Sequence, residues 1–244
     1  MLKISIITIC FNSSKTISKT LESVRDQDYK LIEHIIVDGN SDDETINICK
    51  KFSHISKIIS EEDSGVYDAF NKGLKIASGD IVGFLNSDDT FNDKKSLSSI
   101  VDGFDNETDA VFGNLKLYSK NNYVIRNWVS TPFKNGAFKN GWMPPHPTFY
   151  CRTYIYNSFG TYDKTYQIAG DFELMLRFIQ VNKIRTKYIC KSLIKMQAGG
   201  ISNSGIRSKI KILKEQFKAF ETNNIEINRL MYTLKKIKKI KEFL

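Results

Sequence analysis

Several familiar signatures are missing from this 244-residue chain. No G-x-G-x-x-G follows the first apolar run, and no G-x-x-x-x-G-K-[ST] occurs anywhere, so the usual glycine cradles for dinucleotides and for P-loop phosphates are absent. The four cysteines, Cys10, Cys49, Cys151 and Cys190, lie far apart without a C-x-x-C pair, which argues against a zinc site. Cys10 falls within an apolar run and reads as a buried free thiol, which points to a reducing compartment. No apolar stretch approaches the roughly 20 residues needed to cross a bilayer. The run ISIITIC is too short for a signal peptide, and residues 11–14 offer no A-x-A cleavage site. The chain is therefore expected in the cytosol. Prolines number only four, and three of them sit in GWMPPHPTFYC, residues 141–151, which is expected to be largely irregular. No internal repeats and no long low-complexity segments occur.

Charge is present but unevenly spread. The net charge is +9, yet residues 207–244 alone hold 11 Lys and Arg against 4 Glu, a surplus of +7 that leaves the body at only +2. A basic balance implies an anionic partner. A nucleic-acid-binding protein would spread its cations and aromatics along a groove, so charge gathered at one end argues against that class. Hydrophobic residues make up 41% of the chain, enough for a sizeable core in a domain of this length.

The apolar pattern alternates between short β-rich runs and helical stretches. KISIITIC (3–10), HIIVD (34–38), SKIIS (56–60) and DIVGFL (80–85) read as strands. Ser13 or Ser14 could cap a helix with Ile17, Leu21 and Val24 on one face. Residues 45–52 and the stretch VYDAFNKGLKIAS read as helices. This alternation predicts a doubly wound, mostly parallel α/β sheet. Farther along, DAVFGNLKLYS and YVIRNWV read as strands paired at KNN, DFELMLRFIQ (171–180) as a helix and IRTKYIC as a late strand. The last forty residues read as two helices separated by TNN, the second carrying Ile227, Leu230, Leu234, Ile237 and Leu244 at 3- to 4-residue spacing beside the lysines of KKIKKIK.

In doubly wound sheets, ligands bind beyond the carboxyl ends of the strands. Four polar loops, FNSS, DGNSDD, EEDSG and NSDD, follow strand ends and would meet on one rim. The last ends FLNSDD, where Asp88 and Asp89 stand side by side with no Lys or Arg before Lys94. Two like charges repel. Either a solvated turn or a divalent cation with hard oxygen ligands relieves them, and Asp38, Asp63 and Asp68 on the same rim favour the cation.

The motifs SIITICFN, VDGNSDDET, EDSGVYDAFNKGLKIASGDIVGFLNSDD and HPTFYCRTYIYNSFGTYDKTYQIAGDFELMLRF, in this order from about residue 3 to 180, resemble family 2 glycosyltransferases of the GT-A fold. The nearest branch is that of bacterial capsule, exopolysaccharide and O-antigen assembly. The resemblance implies a nucleotide-sugar half (1–100), an acceptor half (101–205) and a basic helical tail (206–244). It places Thr8, Phe11 and Asn12 beside the nucleoside, Asp38 on the uracil or ribose, and Asp63 beside the base. Gly65, Asp68, Asn71 and Lys72 fall where the family approaches the donor. The D-x-D motif reads Asn86-Ser87-Asp88, followed by Asp89, with Asp88 in the position of the Mn²⁺ or Mg²⁺ ligand. Asp171 matches the family's general base, although Gly170 replaces the preceding Glu. Trp142 and His146 fall where acceptor or diphosphate contacts are expected.

The bland readings stand beside these. Phe11 could be a core aromatic, Asn71 and Lys72 an exposed helix face, Asp171 a helix N-cap, and His146 a loop-shaping residue. Glu173 is a rival base one position too deep in the helix, and His34 and His54 read as structural. The resemblance implies an inverting transfer from a UDP-sugar, with GlcNAc or a hexose such as galactose as the moiety, to a glycan on a polyprenyl diphosphate. The enzyme would be peripheral on the inner face of the bacterial plasma membrane. The terminal helix suits an anionic membrane surface through residues 225–244, or packing on the body or on a second copy. A nucleotidyltransferase is the rival enzyme class, but it would carry a Gly-rich basic loop where FNSSKT has no glycine.

Overall fold

The computed structural model describes residues 1–119, 121–199 and 206–241, with side chains in the last segment at 207–236. Strand β1 (Ile4–Cys10) is buried almost throughout, as its unbroken β-branched run requires of a central strand covered on both faces. Helix α1 (Ile17–Arg25) buries Ile17, Leu21 and Val24, the face expected from their spacing. Then follow β2 (Ile32–Asp38), α2 (Thr45–Cys49), β3 (Ile55–Ser60), α3 (Val66–Ile76), β4 (Ile81–Phe84), the two-residue β5 (Thr90–Phe91) and α4 (Ser96–Val101). The second half contains β6 (Ala110–Tyr118), β7 (Val124–Trp128), β8 (Tyr150–Arg152), α5 (Thr153–Phe159), α6 (Gly170–Met175), β9 (Thr186–Gln197), α7 (Ile206–Thr222) and α8 (Arg229–Lys241).

One nine-stranded sheet runs in the order β3-β2-β1-β4-β8-β6-β9-β5, with β7 on β6. Strands β1–β4, β6 and β9 share one direction, and β8, β5 and β7 oppose them. The sheet is therefore α/β and mostly parallel.

The structure differs from the sequence pattern in several places. The first helix is preceded by Thr16, with no side-chain cap, and neither Ser13 nor Ser14 caps it. The proline-rich segment is irregular only to Phe149, apart from a 3₁₀ turn at His146–Thr148; its end, Tyr150–Arg152, forms β8 in the middle of the sheet. Three residues give too short an alternation to register as a strand. The helix expected through residue 180 turns from α to π geometry at Leu176–Val181. Strand β9 is 12 residues long, well past the IRTKYIC run, because it pairs along β6 to Tyr118.

The C-terminal helices lie on the body. Phe220 and Ala219 of α7 are fully buried, and the Phe220 ring meets Phe172 at 5.4 Å and Tyr232 of α8 at 5.3 Å. On the other side of α8, Leu230, Met231 and Leu234 are 70%, 50% and 52% exposed. The side chain of Ile237 and all of Leu244, also expected in that stripe, lie outside the described residues. The four cysteines are free. Among the described residues, no helix is long and apolar enough to cross a membrane.

At the amino ends of the central strands, Glu33 is nearly sealed from solvent. Its carboxylate accepts from Ser5 Oγ (2.6 Å), Ser78 N (2.8 Å) and Ser78 Oγ (2.7 Å), and Lys3 and Lys57 stand at 3.4 and 3.2 Å. Burial works to raise this carboxyl, but the hydrogen bonds and Lys57 outweigh it and hold Glu33 at about 2. A carboxyl lowered on folding stabilises the native state above its unfolded value, and that contribution is lost as pH falls through the folded value. Glu33→Gln is expected to cost about 2 kcal/mol in urea unfolding at pH 7. The gap between variant and wild type should narrow as pH drops from 4.5 towards 2; a gap independent of pH would contradict the assignment.

Candidate active site

A cavity of about 640 Å³ opens beyond the carboxyl ends of the parallel strands. One wall comes from the loops after β1, β2, β3 and β4, with Phe11, Ser13, Gly39, Asp63 and residues 86–89. The opposite wall carries His146, Gln167, Ile168, Asp171, Met196 and Gln197, and the face of α3 with Tyr67 and Phe70 lies between them.

The acid pair sits where β4 ends. Asp88 is exposed to the cavity and Asp89 is 1% exposed beneath it. Asp89 is held on both oxygens: the Gln197 amide donates to Oδ1 at 3.2 Å and Asn86 Nδ2 donates to Oδ2 at 3.1 Å. Burial, with the charge of Asp88 beside it, pushes Asp89 well above the usual carboxylate range, and burial raises Asp88 too. Among the described residues, neither acid forms an ion pair with Lys, Arg or His. Uncompensated paired carboxylates of this kind fit a divalent cation. No group of three His, Cys, Asp or Glu among the described residues could hold a metal by itself. That suits an ion such as Mg²⁺, which takes one or two carboxylates and completes its shell with substrate phosphate and water. Asp88 has the free oxygens; Asp89, already donor-bound, supports the loop.

Asp171 begins the opposite wall, in the first turn of α6. Its Oδ1 accepts from the Phe172 amide at 2.8 Å. Burial raises its carboxyl to about 6, against the Phe172 amide and the charge of Lys236, which lower it. A base with that value is largely deprotonated at pH 7 yet still basic enough to accept a proton. Gly170 precedes it because nothing larger fits: a Cβ there would lie 2.7 Å from the Tyr67 ring, whose hydroxyl accepts from the Gly170 amide at 2.8 Å. Where the family motif has Glu, this chain has a glycine with Tyr67 packed against its backbone. His146 is half-buried between Phe70 and Phe84, with its Nε2 2.8 Å from Tyr162 Oη. Burial lowers His146 to about 4, so the ring is neutral at pH 7.

The sequence profile of Glycosyl transferase family 2 matches residues 5–165. The chain belongs to this family. The protein is therefore a glycosyltransferase. A Mycobacterium tuberculosis protein named as an uncharacterized glycosyltransferase is 33% identical over 184 residues, 71% of this chain and 68% of its own length. The Escherichia coli protein WfaP is 30% identical over 214 residues, 85% of this chain and 83% of its own. Its name describes a UDP-Glc:alpha-D-GlcNAc-diphosphoundecaprenol beta-1,3-glucosyltransferase.

Solved structures place the enzyme in the GT-A fold. The S. aureus TarS fragment 1–349, solved with UDP-GlcNAc, superposes with TM-score 0.69 at 20% identity, covering 94% of this chain and 69% of that one. The Pyrobaculum calidifontis mannosyltransferase PcManGT, solved with GDP-Man and Mn²⁺, gives TM-score 0.70 at 15% identity over 95% and 68%.

Within this glycosyltransferase the expected residues divide into two groups. Phe11, Asp63, Asn86, Ser87, Asp88, Asp89, His146 and Asp171 line one cavity. Phe11 is 62% exposed, so it is not a core aromatic. Gly39 permits the approach of its neighbours, since a Cβ there would stand 2.7 Å from Asp63 Oδ2 and 3.4 Å from the Phe11 ring. The remaining expected residues support the site from outside the lining. Thr8 is buried with its Oγ1 3.0 Å from His34 Nε2. Asn12 Oδ1 accepts from the Asp42 amide at 3.1 Å, tying two rim loops together. Asp38 is fully buried and accepts from Ser41 N (2.9 Å), Ser41 Oγ (2.5 Å) and Ser60 Oγ (2.8 Å), which commits both its oxygens to the loops after β2 and β3.

Farther out, Gly65 precedes α3, and Asp68 pairs with Lys164 at 3.1 Å. Lys72 pairs with Glu61 at 3.0 Å and donates to Glu62 O at 2.5 Å. Asn71 is no exposed helix residue: its amide donates to Tyr162 O at 2.8 Å and accepts from Tyr162 N at 3.0 Å, clamping the segment before Asp171 to α3. Trp142 packs among Phe112, Phe133 and Phe138, with its Nε1 donating to Thr131 Oγ1 at 3.1 Å, and lies outside the lining. Glu173 is tied to Arg177 at 2.8 Å and accepts from Asn223 Nδ2 at 3.2 Å, which removes it as a rival base.

The sequence reading missed Tyr67, Gln167, Ile168, Met196 and Gln197. Tyr67, Gln167 and Ile168 stood inside the quoted motifs and carried that signal; Met196 and Gln197, at the end of β9, carried none. Asp88→Ala is expected to abolish Mn²⁺-dependent UDP binding in calorimetry, whereas Asp89→Asn should weaken it by about tenfold or more through a misplaced loop. Metal dependence left intact in Asp88→Ala would refute the ligand role.

Proposed function

We propose that this enzyme is an inverting, divalent-metal-dependent glycosyltransferase that moves a hexose or N-acetylhexosamine from a UDP-sugar to a polyprenyl-diphosphate-linked glycan, in the assembly of a bacterial surface polysaccharide such as capsule or O-antigen. The observation that carries this reading is the cavity itself, with an unpaired acid pair on one wall and a single raised carboxyl, Asp171, on the other. Inversion needs one base to take the acceptor hydroxyl proton as its oxygen attacks the anomeric carbon. A glycosidase would need two carboxylates flanking that bond.

Asp88, with Asp89 behind it, is the residue that would hold Mn²⁺ or Mg²⁺. A bound ion there offsets the negative charge that develops on the departing diphosphate. Phe11 and Asp63 stand at the donor end, where an exposed ring and a carboxylate suit a nucleobase. Neutral His146 with Tyr162 offers a hydrogen-bonding edge to the sugar or diphosphate. The likeness to WfaP supports both the UDP-sugar and the lipid-linked acceptor.

The exposed Leu230, Met231 and Leu234, on a helix dense in lysine, suit an anionic membrane surface at the inner face of the plasma membrane. A second copy of the chain covering the same stripe is the competing arrangement.

Three measurements test this reading. A hydrolysis screen across nucleotide-sugars with Mn²⁺ should single out a UDP-sugar without any knowledge of the acceptor; turnover only with GDP-sugars would sink the donor assignment. Asp171→Asn should lose about a hundredfold or more of turnover with UDP binding retained, and the wild-type rate should fall off below a pH of about 6 as Asp171 protonates. In flotation, Leu230→Asp/Leu234→Asp should free the protein from anionic liposomes, as should deletion from residue 225. Undiminished liposome binding, or a dimer that the double variant splits, would favour the second copy.

A further inference from the structure

Asp171 is held in place from a helix that the sequence reading assigned to a basic tail. Glu215, on α7, accepts three successive backbone amides with its carboxylate: Gln167 N at 3.0 Å, Ile168 N at 2.9 Å and Ala169 N at 2.8 Å. The next amide, Gly170 N, donates to Tyr67 Oη at 2.8 Å. All four amides leading into the base are therefore fixed by two side chains from distant parts of the chain. The same face of α7 adds two grips. Lys218 Nζ donates to Thr165 Oγ1 at 2.6 Å and lies 4.3 Å from the Tyr166 ring centre, and Lys211 donates to Gln167 Oε1. Positions 211, 215 and 218 share a helix face by their spacing. The gripped segment also supplies Gln167 and Ile168 to the cavity wall.

We infer that Glu215 is a positioning residue for the glycosyl transfer, holding segment 167–170 so that Asp171 is presented to the attacking hydroxyl. This rests on the proposed role of Asp171 as the base. Charge-assisted bonds from one carboxylate to three amides are the strong kind, and a misplacement of about 1 Å in a reacting group is enough to cost roughly a hundredfold in rate. The catalytic unit accordingly extends through α7.

The groups that face Asp171 are Lys236 from α8, Glu215 from α7, Tyr67 from α3 and Tyr162 from the segment before α6. Of these, Glu215 raises the Asp171 carboxyl and Lys236 lowers it. Loss of the Glu215 charge therefore moves the acid limb of the rate profile to lower pH, which a purely structural role would not do.

The test uses the full chain, Mn²⁺ and the nucleotide-sugar that wild type hydrolyses fastest. Glu215→Gln should cut kcat by about tenfold to a hundredfold, leave KM for the donor within twofold, and shift the acid limb downwards. Glu215→Asp keeps the charge but not the reach, so it should lower kcat with the limb unmoved. A Glu215→Gln enzyme with wild-type kcat and an unshifted limb overturns the inference and leaves the role of Asp171 intact. Hydrogen exchange at amides 167–170 of the wild type decides the clamp independently of activity and of any variant's folding. Strong protection supports it, and exchange at the rate of exposed loops overturns it. Wild type that turns over no nucleotide-sugar would count against the proposed function, while the exchange result still judges the clamp.

Discussion

The electrostatic conflict at the end of β4 governs the site. Two neighbouring carboxylates have been carried to the edge of a hydrophobic sheet and, among the described residues, no cation partner is supplied. Under the proposed function the missing charge would arrive as a metal ion with the donor's diphosphate, which a site neutralised in advance would bind weakly. Asn86 and the Gln197 amide hold Asp89 without cancelling its charge. The pair is thus kept in shape and kept electrostatically unsatisfied.

Parallel strands are what bring the rest of the chemistry to that point. Strands β1, β2, β3 and β4 all end on one side, so their following loops converge on a single rim. Asp38, fully buried at the end of β2, ties the rim together through Ser41 and Ser60 instead of reaching the cavity. The opposite wall depends on a second set of constraints. Asn71 on α3 grips Tyr162, Tyr67 grips Gly170 and Glu215 grips residues 167–169, so the segment bearing Asp171 is fastened to helices from both ends of the chain. The two walls differ in kind: the side with Asp88 is made of loops after strands, and the side with Asp171 is a loop strapped between helices.

The first 90 residues were nearly transparent in sequence. Short β-branched runs alternating with amphipathic stretches announced β1, α1, β2, β3, α3 and β4, because each of those elements is decided by local apolar periodicity. The acids at 88, 89 and 171 and the histidine at 146 were legible too, since carboxylates at a strand end and a histidine between prolines are unusual wherever they fall. Legibility failed for β8, with three residues, and for the far end of β9, where pairing with β6 extends a strand past its apolar run. It also failed for Thr8, Asp38, Asn71, Lys72 and Trp142. Their polar groups or rings suited ligand contact, but the folded chain spends them on His, Ser, Tyr, Glu and Phe neighbours.

The amino-acid order by itself therefore determined the α/β alternation, the family, the rim of acids and the candidacy of Asp171, all of which rest on local pattern or on motifs of adjacent residues. Only the tertiary structure decided which residues face the cavity and which hold it up. The amide of Gln197 reaches Asp89 across 108 positions, and Glu215 reaches Ala169 across 46. Such bonds depend on where two segments meet in space, and neither periodicity nor composition records that meeting. The C-terminal charge surplus is the clearest case: as a sequence it reads as one basic tail, whereas packing of Phe220 against Phe172 and the bonds of Glu215 to residues 167–169 make its first helix the support behind the wall that carries Asp171.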